Sequence, residues 1–293
     1  MKSRSSKQFS RREIIAAGAT AGLVLTLPGT RTAWAQRAEP EPILKAIPSS
    51  GEKIAVIGLG TNAYGVTDPV DIAARKEVLE RMSVLGGQVI DTARGYGRSE
   101  EVIGELLESL KNRKDYFIAT KTPMGGSLDD PKAVVDESFK RLRTDRIELM
   151  QIHNLYGTQA LLPVFREYKQ AGKIRYIGIT TSQDAQYDGM LEVMRSTPLD
   201  FIQVDYSLGN RGAQEKILPL AQERGIAVLA NVPLGGRRGN LLSQVGDREL
   251  PSWAAELNVT SWAQLLLKYV VSHPAVTCAI PGTTKVKHAE DNQ

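Results

Sequence analysis

Apolar runs and amphipathic stretches alternate along most of the chain. The stretches "YFIAT" (Tyr116–Thr120) and "IELMQIH" (Ile147–His153) are short and largely apolar, which is typical of parallel strands covered on both faces. Between them, "DPKAVVDESFKRL" has helical spacing, with Asp130 at the N-cap and Pro131 in the first turn. The pattern therefore predicts a strand, a helix and a second strand in this part of the chain.

The same alternation continues and predicts eight strands, seven complete helices and the start of an eighth helix. The predicted strands are Lys53–Gly60, Gln88–Asp91, Tyr116–Thr120, Ile147–His153, Ile174–Thr180, Asp200–Tyr206, Ala227–Val232 and Val276–Gly282. A long loop is predicted after the seventh strand. Repeated strand–helix units form either an open doubly wound sheet or a closed barrel.

The number of units favours the closed barrel. A chain of 293 residues, 42% of them apolar, can hold one (β/α)8 barrel, which needs roughly 250 residues. The segment "GLGTNAYG" at the end of the first predicted strand lacks the G-x-G-x-x-G pattern of an open dinucleotide-binding sheet. We therefore predict the α/β class and a single-domain (β/α)8 TIM barrel.

The first 35 residues have the pattern of an export signal. A basic start is followed by an apolar stretch too short to span a bilayer, and Ala33-Trp34-Ala35 offers an A-x-A cleavage site. Ser10-Arg11-Arg12 is similar to the start of a twin-arginine signal. A retained amphipathic or anchoring helix is the alternative interpretation.

This pattern sets the predicted organisation and location of the protein. We predict a twin-arginine signal peptide over residues 1–35, a linker leading into the barrel over 36–52, and the barrel over 53–293. A periplasmic or otherwise exported location follows, with the twin-arginine export machinery as a partner and no stable membrane span.

Charge and cysteine content narrow the function classes. Residues 1–35 hold six Lys or Arg and one Glu, whereas the whole chain has a net charge of +4, so the remainder is close to neutral. Because that remainder has no basic excess, we expect no nucleic-acid partner. The single cysteine, Cys278, lies in an apolar run and is predicted to be a buried structural thiol. Three widely separated histidines predict no metal site.

Four polar side chains lie where predicted strands end. Asp91, Lys121 and His153 are at the ends of the second, third and fourth strands, and Tyr96 follows in the loop after Asp91. Because the carboxyl ends of barrel strands meet at one rim, we expect the four to converge. Alone, each also has a structural interpretation: a helix cap, a solvated loop charge or a core histidine.

Together, the four residue types predict proton transfer to a substrate oxygen. A phenol has a reference pKa of about 10, and a nearby ammonium favours its ionised form. A carboxylate keeps the ammonium charged and in place, and a histidine can hydrogen-bond the substrate. Such a group of residues suits carbonyl reduction, in which an oxygen becomes negative as a hydride arrives at carbon.

In its motifs, the chain resembles the aldo/keto reductase family, and most closely an exported subgroup with twin-arginine signals. The motifs occur in the family's order from about Ile54 to Asn292: "GLGT", "IDTARGYG", "IATK", "IHN", "IRYIGIT", Gln203, "PLGG", "IPGTTK" and "EDN". The resemblance implies a (β/α)8 barrel that reduces aldehydes or ketones to alcohols. NADPH, or alternatively NADH, would supply the hydride, and the partner would be a small-molecule carbonyl substrate.

The resemblance also implies residue roles. Tyr96 would be the general acid, Lys121 paired with Asp91 would activate it, and His153 would orient the carbonyl. The implied nicotinamide contacts are Thr61, Thr180, Thr181, Gln203 and Asn231. The implied contacts of the adenosine end are Gly282, Thr283, Thr284, Asp291 and Asn292.

Several positions depart from the family pattern. Thr180-Thr181 replaces the usual Ser-Asn pair, and Asn231 replaces an aromatic residue that stacks on nicotinamide. Gly282 and His288 replace the usual Lys and Arg at the 2′-phosphate, where Lys285 or Lys287 would have to compensate. The departures leave the choice between NADPH and NADH open.

Two alternatives to the reductase and one question about the chain's end remain. One alternative is a nicotinamide-binding sensor or partner module with little turnover. A hydrolase using Asp91 as its base is the other, but it leaves Lys121 and Gln203 without a role. The sequence stops at Gln293 inside the predicted last helix, so we expect either a fragment or an unusually open site.

Overall fold

A ring of parallel strands carries the four predicted catalytic residues, at strand ends or in the loop that follows. The computed structural model describes residues 41–236 and 239–293, and the predicted signal peptide lies outside them. The strands of the barrel wall are β3 (Leu59–Gly60), β4 (Val89–Asp91), β5 (Phe117–Lys121), β6 (Ile147–His153), β7 (Ile174–Thr181), β8 (Phe201–Asp205), β9 (Ala227–Asn231) and β10 (Val276–Ala279). They pair in sequence order, each parallel to the next.

Helices follow the strands and form the outer layer. They are α1 (Pro69–Val84), α2 (Ser99–Leu110), α3 (Pro131–Arg141), α4 (Thr158–Gln170), α5 (Tyr187–Ser196), α6 (Ala213–Glu223), α7 (Leu241–Val245), α8 (Trp262–Ser272) and α9 (Val286–Asn292). The predicted cap of α3 is present, because the Asp130 carboxylate accepts from Ala133 N. Within the described residues, no helix combines the length and the apolar character that crossing a bilayer requires.

The first and last strands join, and the sheet closes into a barrel. Gly58 N donates to Ala279 O (2.8 Å), and Gly60 N donates to Pro281 O (2.9 Å). Glycine is required at this seam because a Cβ on Gly60 would lie 2.8 Å from the carbonyl oxygen of Ile280. These bonds confirm the predicted barrel and exclude the open sheet.

The first predicted strand, Lys53–Gly60, is wrong as a single element. Its start is β2 (Lys53–Ala55), which pairs antiparallel with β1 (Leu44–Ala46), and only its end joins the wall as β3. Ile47 and Ile54 of this hairpin are buried among the side chains of the barrel interior. The apolar run therefore belongs to two elements. Its first half is part of the β1–β2 hairpin (residues 44–55), which closes the base of the barrel and is called the plug below.

The hairpin is also tied to the last strand–helix unit. The ammonium of Lys45 donates to the carbonyl oxygens of Val271 (2.6 Å) and Val276 (2.7 Å), at the end of α8 and the start of β10. A cation at a helix C-terminus satisfies carbonyl groups that have no partner within the helix. The plug is thus fixed by polar contacts as well as by apolar packing.

The barrel interior changes from apolar to polar along its axis. Near the amino ends of the strands, the rings of Phe117, Tyr176 and Phe201 pack with centroids 5.5–5.8 Å apart. Because side chains alternate along a strand, the later inward positions on the same strands carry Lys121 and Gln203. The apolar layers support a polar layer at the carboxyl-end rim.

Candidate active site

A buried ion pair is at the centre of the polar layer. Asp91 ends β4 and Lys121 ends β5, and the two side chains are 2% and 1% exposed. The Lys121 ammonium lies 2.6 Å from Asp91 Oδ2 and 2.7 Å from the Thr92 carbonyl oxygen. Burial alone would lower the pKa of Lys121, but the charge interactions and hydrogen bonds with Asp91 and Tyr96 together outweigh burial and raise that pKa. Lys121 therefore remains an ammonium.

The phenol of Tyr96 is beside this ammonium. Its hydroxyl lies 3.4 Å from Lys121 Nζ, and its ring centroid lies 4.9 Å from the same atom. A tight turn holds the loop, because Tyr96 N donates to Ala93 O and Ser99 N donates to Tyr96 O. A Cβ on Gly65 would come within 2.5 Å of that Tyr96 carbonyl, so only glycine fits against the loop.

His153 completes the group of four side chains that the sequence placed at the rim. It ends β6, and its ring packs edge-on against Tyr96 with centroids 6.1 Å apart. Burial, with a further contribution from the positive charge of Lys121, lowers the pKa of His153 to about 3. The imidazole is therefore neutral near pH 7 and can donate one hydrogen bond without adding a second cation.

Two glutamines extend the network across the barrel. Gln203 Nε2 lies 3.4 Å from Asp91 Oδ2, and Gln203 Oε1 accepts from Gln151 Nε2 (2.9 Å). Gln151 is not identified by the rule that polar side chains at strand ends meet at the rim. It is two residues before His153 on β6, and the two-residue period of a strand could have identified it.

The side chains predicted to contact nicotinamide have different surroundings. Thr61 is fully buried, and its hydroxyl donates to Asp91 O (2.8 Å). Thr180 faces inward in register with Gln203, whereas the Thr181 hydroxyl donates to Gln186 Oε1 (2.5 Å). Asn231 ends β9, and its Oδ1 is buried with no hydrogen-bond partner among the residues that the structure describes. The structure thus leaves Asn231 Oδ1 free to bind a ligand and engages the Thr61 and Thr181 hydroxyls internally.

Three of the five residues predicted for the adenosine end line one cleft. Gly282, Asp291 and Asn292 line it, and its volume is about 650 Å³. Asp291 accepts from Ser261 Oγ (2.7 Å), which fastens α9 to the start of α8. Thr283 is buried and accepts from Asn292 Nδ2, and Thr284 is half-buried beside it. Lys287 and His288 also line the cleft, together with the carboxylates of Glu290 and Asp291.

Cysteine and metal chemistry have no support in the described part of the chain. Cys278 is buried, and burial raises the pKa of its thiol. No group of His, Cys, Asp and Glu side chains within residues 41–236 and 239–293 could hold a metal ion.

The sequence is similar to a known protein family and to characterised relatives. The Aldo/keto reductase family model matches residues 56–293. Methylglyoxal reductase YeaE of Escherichia coli is 29% identical, over 85% of this chain and 88% of that protein. Aldo-keto reductase YhdN of Bacillus subtilis is 33% identical over 200 residues, which are 63% of this chain and 60% of that protein.

Solved structures agree with the family match. An aldo-keto reductase from Klebsiella pneumoniae, in complex with NADPH, superimposes with a TM-score of 0.70 at 27% identity. The match covers 85% of this chain and 88% of that one. A K. pneumoniae aldo/keto reductase with NADP and acetate gives a TM-score of 0.69, also at 27% identity, over 83% of this chain and 86% of that one. The chain belongs to the aldo/keto reductase family.

Proposed function

We propose that this protein reduces aldehydes or ketones to alcohols, with NADPH as the hydride donor. The observation that carries the proposal is the position of Lys121, whose ammonium contacts both the Asp91 carboxylate and the Tyr96 hydroxyl. Family membership supports the same reaction. Two relatives support it through their names and ligands, one as a methylglyoxal reductase and one as a complex with NADPH.

Tyr96 acts as the general acid in this reaction. NADPH, when bound, would supply the hydride that the carbonyl carbon accepts. As the C=O π bond breaks, Tyr96 gives its proton to the carbonyl oxygen and becomes a phenolate. The Lys121 ammonium stabilises that phenolate, and Asp91 holds the ammonium in place. The reverse reaction, oxidation of an alcohol, uses the phenolate as the base.

His153 positions the carbonyl. Its neutral imidazole faces the Tyr96 ring, and its Nδ1 is buried without a hydrogen-bond partner in the described chain. A substrate oxygen between the Tyr96 hydroxyl and His153 gains a second hydrogen bond there. Because His153 carries no charge, it does not compete with Lys121 for the phenolate. In this proposal, both donors face the oxygen on which negative charge develops in the transition state.

The residues present fit a dinucleotide cofactor. Asn231 offers a buried amide oxygen without a partner, as a carboxamide N–H requires, and the Gly282 cleft is large enough for a ligand group. Lys287 supplies a positive charge at that cleft, beside the carboxylates of Glu290 and Asp291, and would be the side chain that pairs with the 2′-phosphate of NADPH. NADH is the alternative cofactor, because the chain has Gly282 and His288 where the family usually has Lys and Arg.

Binding and turnover measured separately test the proposal. NADPH is added while the intrinsic fluorescence is followed, and absorbance at the nicotinamide band is then recorded with a panel of aldehydes that includes methylglyoxal. We expect quenching, followed by loss of NADPH that matches the alcohol formed. Cofactor binding without turnover on any carbonyl would instead favour a sensor or partner module.

We further propose that the protein is exported through the twin-arginine route as a member of the exported subgroup. The Ser10-Arg11-Arg12 start, the apolar stretch and the Ala33-Trp34-Ala35 site support this location. The test is cell fractionation of the full chain and of an Arg11→Lys/Arg12→Lys variant. We expect wild type in the periplasm and the variant in the cytoplasm. Equal distribution of both would exclude the route.

A further inference from the structure

A second buried carboxylate lies close to the rim and takes no part in the reaction described above. Glu100 is in the first turn of α2 and is 1% exposed. Burial raises the pKa of its carboxyl group, and hydrogen bonds from Thr120 and Ser138 partly offset this effect. A buried carboxylate is costly unless it is paired and hydrogen-bonded. The contacts of Glu100 therefore indicate which groups stabilise its carboxylate in the buried position.

The contacts of Glu100 reach the strand that carries Lys121. Glu100 Oε1 accepts from the Thr120 hydroxyl at 2.6 Å. Thr120 directly precedes Lys121 on β5, and the alternation of the strand puts the two side chains on opposite faces. Glu100 thus holds the outer face of the strand whose inner face presents the ammonium.

The other oxygen of Glu100 reaches the loop that carries Tyr96. Glu100 Oε2 lies 3.6 Å from Arg94 Nε, and the Arg94 side chain is only 15% exposed. Arg94 is two residues before Tyr96. Its backbone N donates to Lys121 O (3.1 Å), and its Nη1 donates to Val134 O of α3 (3.2 Å). The guanidinium is therefore fixed between the loop, α2 and α3.

We propose that Arg94 and Glu100 are positioning residues that hold the Tyr96 hydroxyl beside Lys121. The proposal rests on the proposed reductase function, because it assigns a use to the Tyr96–Lys121 distance. Through Thr120 and Arg94, Glu100 joins the strand of the ammonium to the loop of the phenol. Both residues would act through Thr120 and the loop backbone and not on the reacting atoms.

The energetics of buried ion pairs favour a geometric role over a stabilising one. Apolar residues of similar volume often replace a buried pair at no loss of stability. In contrast, a displacement of a catalytic group by about 1 Å can cost on the order of 10²-fold in rate. The Tyr96 hydroxyl lies 3.4 Å from Lys121 Nζ, so a small outward movement of the loop removes the contact.

The test compares Arg94→Met with Arg98→Met. Arg98 is a matched control because it is also two residues from Tyr96, on the other side, and is also 3.6 Å from a glutamate, Glu101, but at the surface. For R94M we expect a fall in kcat of at least about 10-fold, with the Kd for NADPH within about twofold of wild type. R98M should change neither quantity.

The solvent deuterium isotope effect on kcat separates positioning from a loss of folded protein. If Tyr96 is displaced, proton transfer limits the rate more strongly, and the isotope effect in R94M exceeds that of wild type. A smaller folded fraction lowers the apparent kcat and leaves the isotope effect unchanged. An R94M enzyme with wild-type kcat, or with a lower kcat and a wild-type isotope effect, would overturn the positioning role.

Glu100→Gln provides a second variant that keeps the hydrogen bond to Thr120. E100Q removes only the charge that faces Arg94. The same measurements on E100Q therefore test the proposal if R94M does not fold. We expect E100Q to show the same fall in kcat and the same larger isotope effect, and a wild-type value of either would overturn the role. Absence of turnover in wild type would instead defeat the proposed function.

Discussion

The ammonium of Lys121 lies 2.6 Å from the carboxylate of Asp91 in the interior of the barrel, where both side chains are buried. Removal of one partner leaves the other charge buried and unpaired. Lys121→Met should therefore lower the free energy of unfolding by about 3–5 kcal/mol, measured by urea denaturation. Adding Asp91→Asn to K121M should restore part of the loss, because no unpaired charge then remains.

Lys132→Met is the control for that measurement. Lys132 pairs with Glu167 at 2.5 Å, but both side chains are more than half exposed. Surface pairs contribute roughly 0–1 kcal/mol, so K132M should remain close to wild type. If K121M and K132M lose the same small amount, the Asp91–Lys121 pair does not have the predicted energetic weight.

Tyr96→Phe should abolish carbonyl reduction without loss of the cofactor. The substitution removes the proton donor beside Lys121 and leaves the ring in place. General acid catalysis contributes on the order of 10²–10⁴-fold, so kcat should fall by at least about 10²-fold while NADPH quenching is retained. Tyr168→Phe removes a hydroxyl on the outer helix α4 that donates to Asp136, and it should keep its activity. Retained turnover in Y96F would refute Tyr96 as the acid.

Acid should destabilise the protein partly through His153. Its pKa is about 3 in the folded state and about 6.5 in an unfolded chain. Below pH 6.5 the unfolded state therefore binds more protons. The stability that His153 contributes is fully present above pH 6.5 and is lost as the pH falls toward 3. The maximum slope is about 1.4 kcal/mol per pH unit.

The corresponding measurement is the free energy of unfolding between pH 7 and pH 5. His153→Gln should have a shallower slope than wild type, by an amount that rises toward the value for one proton as the pH falls to 5. Identical slopes for wild type and H153Q would mean that His153 is not held neutral by the fold.

The barrel seam predicts a sharp difference between two glycines. A Cβ on Gly60 would lie 2.8 Å from the Ile280 carbonyl oxygen, whereas a Cβ on Gly125 would meet nothing within 4 Å. Overpacking costs roughly 1–3 kcal/mol, and here the obstacle is backbone that cannot move alone. Gly60→Ala should lower the Tm by several degrees, and Gly125→Ala should leave it unchanged in the same thermal scan.

The hydrophobic pattern predicts an element correctly where one apolar run corresponds to one strand. The predicted strand Ile147–His153 has the same ends in the structure, because one apolar run there serves one strand. The run Lys53–Gly60 serves two elements. Local pattern could not reveal the hairpin, because the partner strand β1 lies in the Pro-rich segment predicted as a linker. The five-residue helix α7, capped by Asn240, was likewise too short for its periodicity to be recognised.

The candidate site likewise contains residues that the sequence pattern predicts and residues that it does not. The rule that strand ends meet at one rim is sufficient to predict from the sequence that Asp91, Lys121 and His153 converge. Gln151 was missed, although it occupies the same face of β6 as His153. The Arg94–Glu100 contact could not be predicted, since it depends on how the first turn of α2 packs against β5 and α3. The roles of Thr180, Gln203 and Asn231 toward nicotinamide remain predictions.

The Lys45 contacts impose an order on how the chain can reach its native state. The hairpin is among the first parts of the barrel to leave the ribosome, yet the carbonyl groups that hold Lys45 are 226 to 231 residues further along. Contacts of such long sequence separation form slowly, because a large loop must close first. The Lys45 ammonium therefore cannot make these contacts until α8 and the start of β10 have been synthesised.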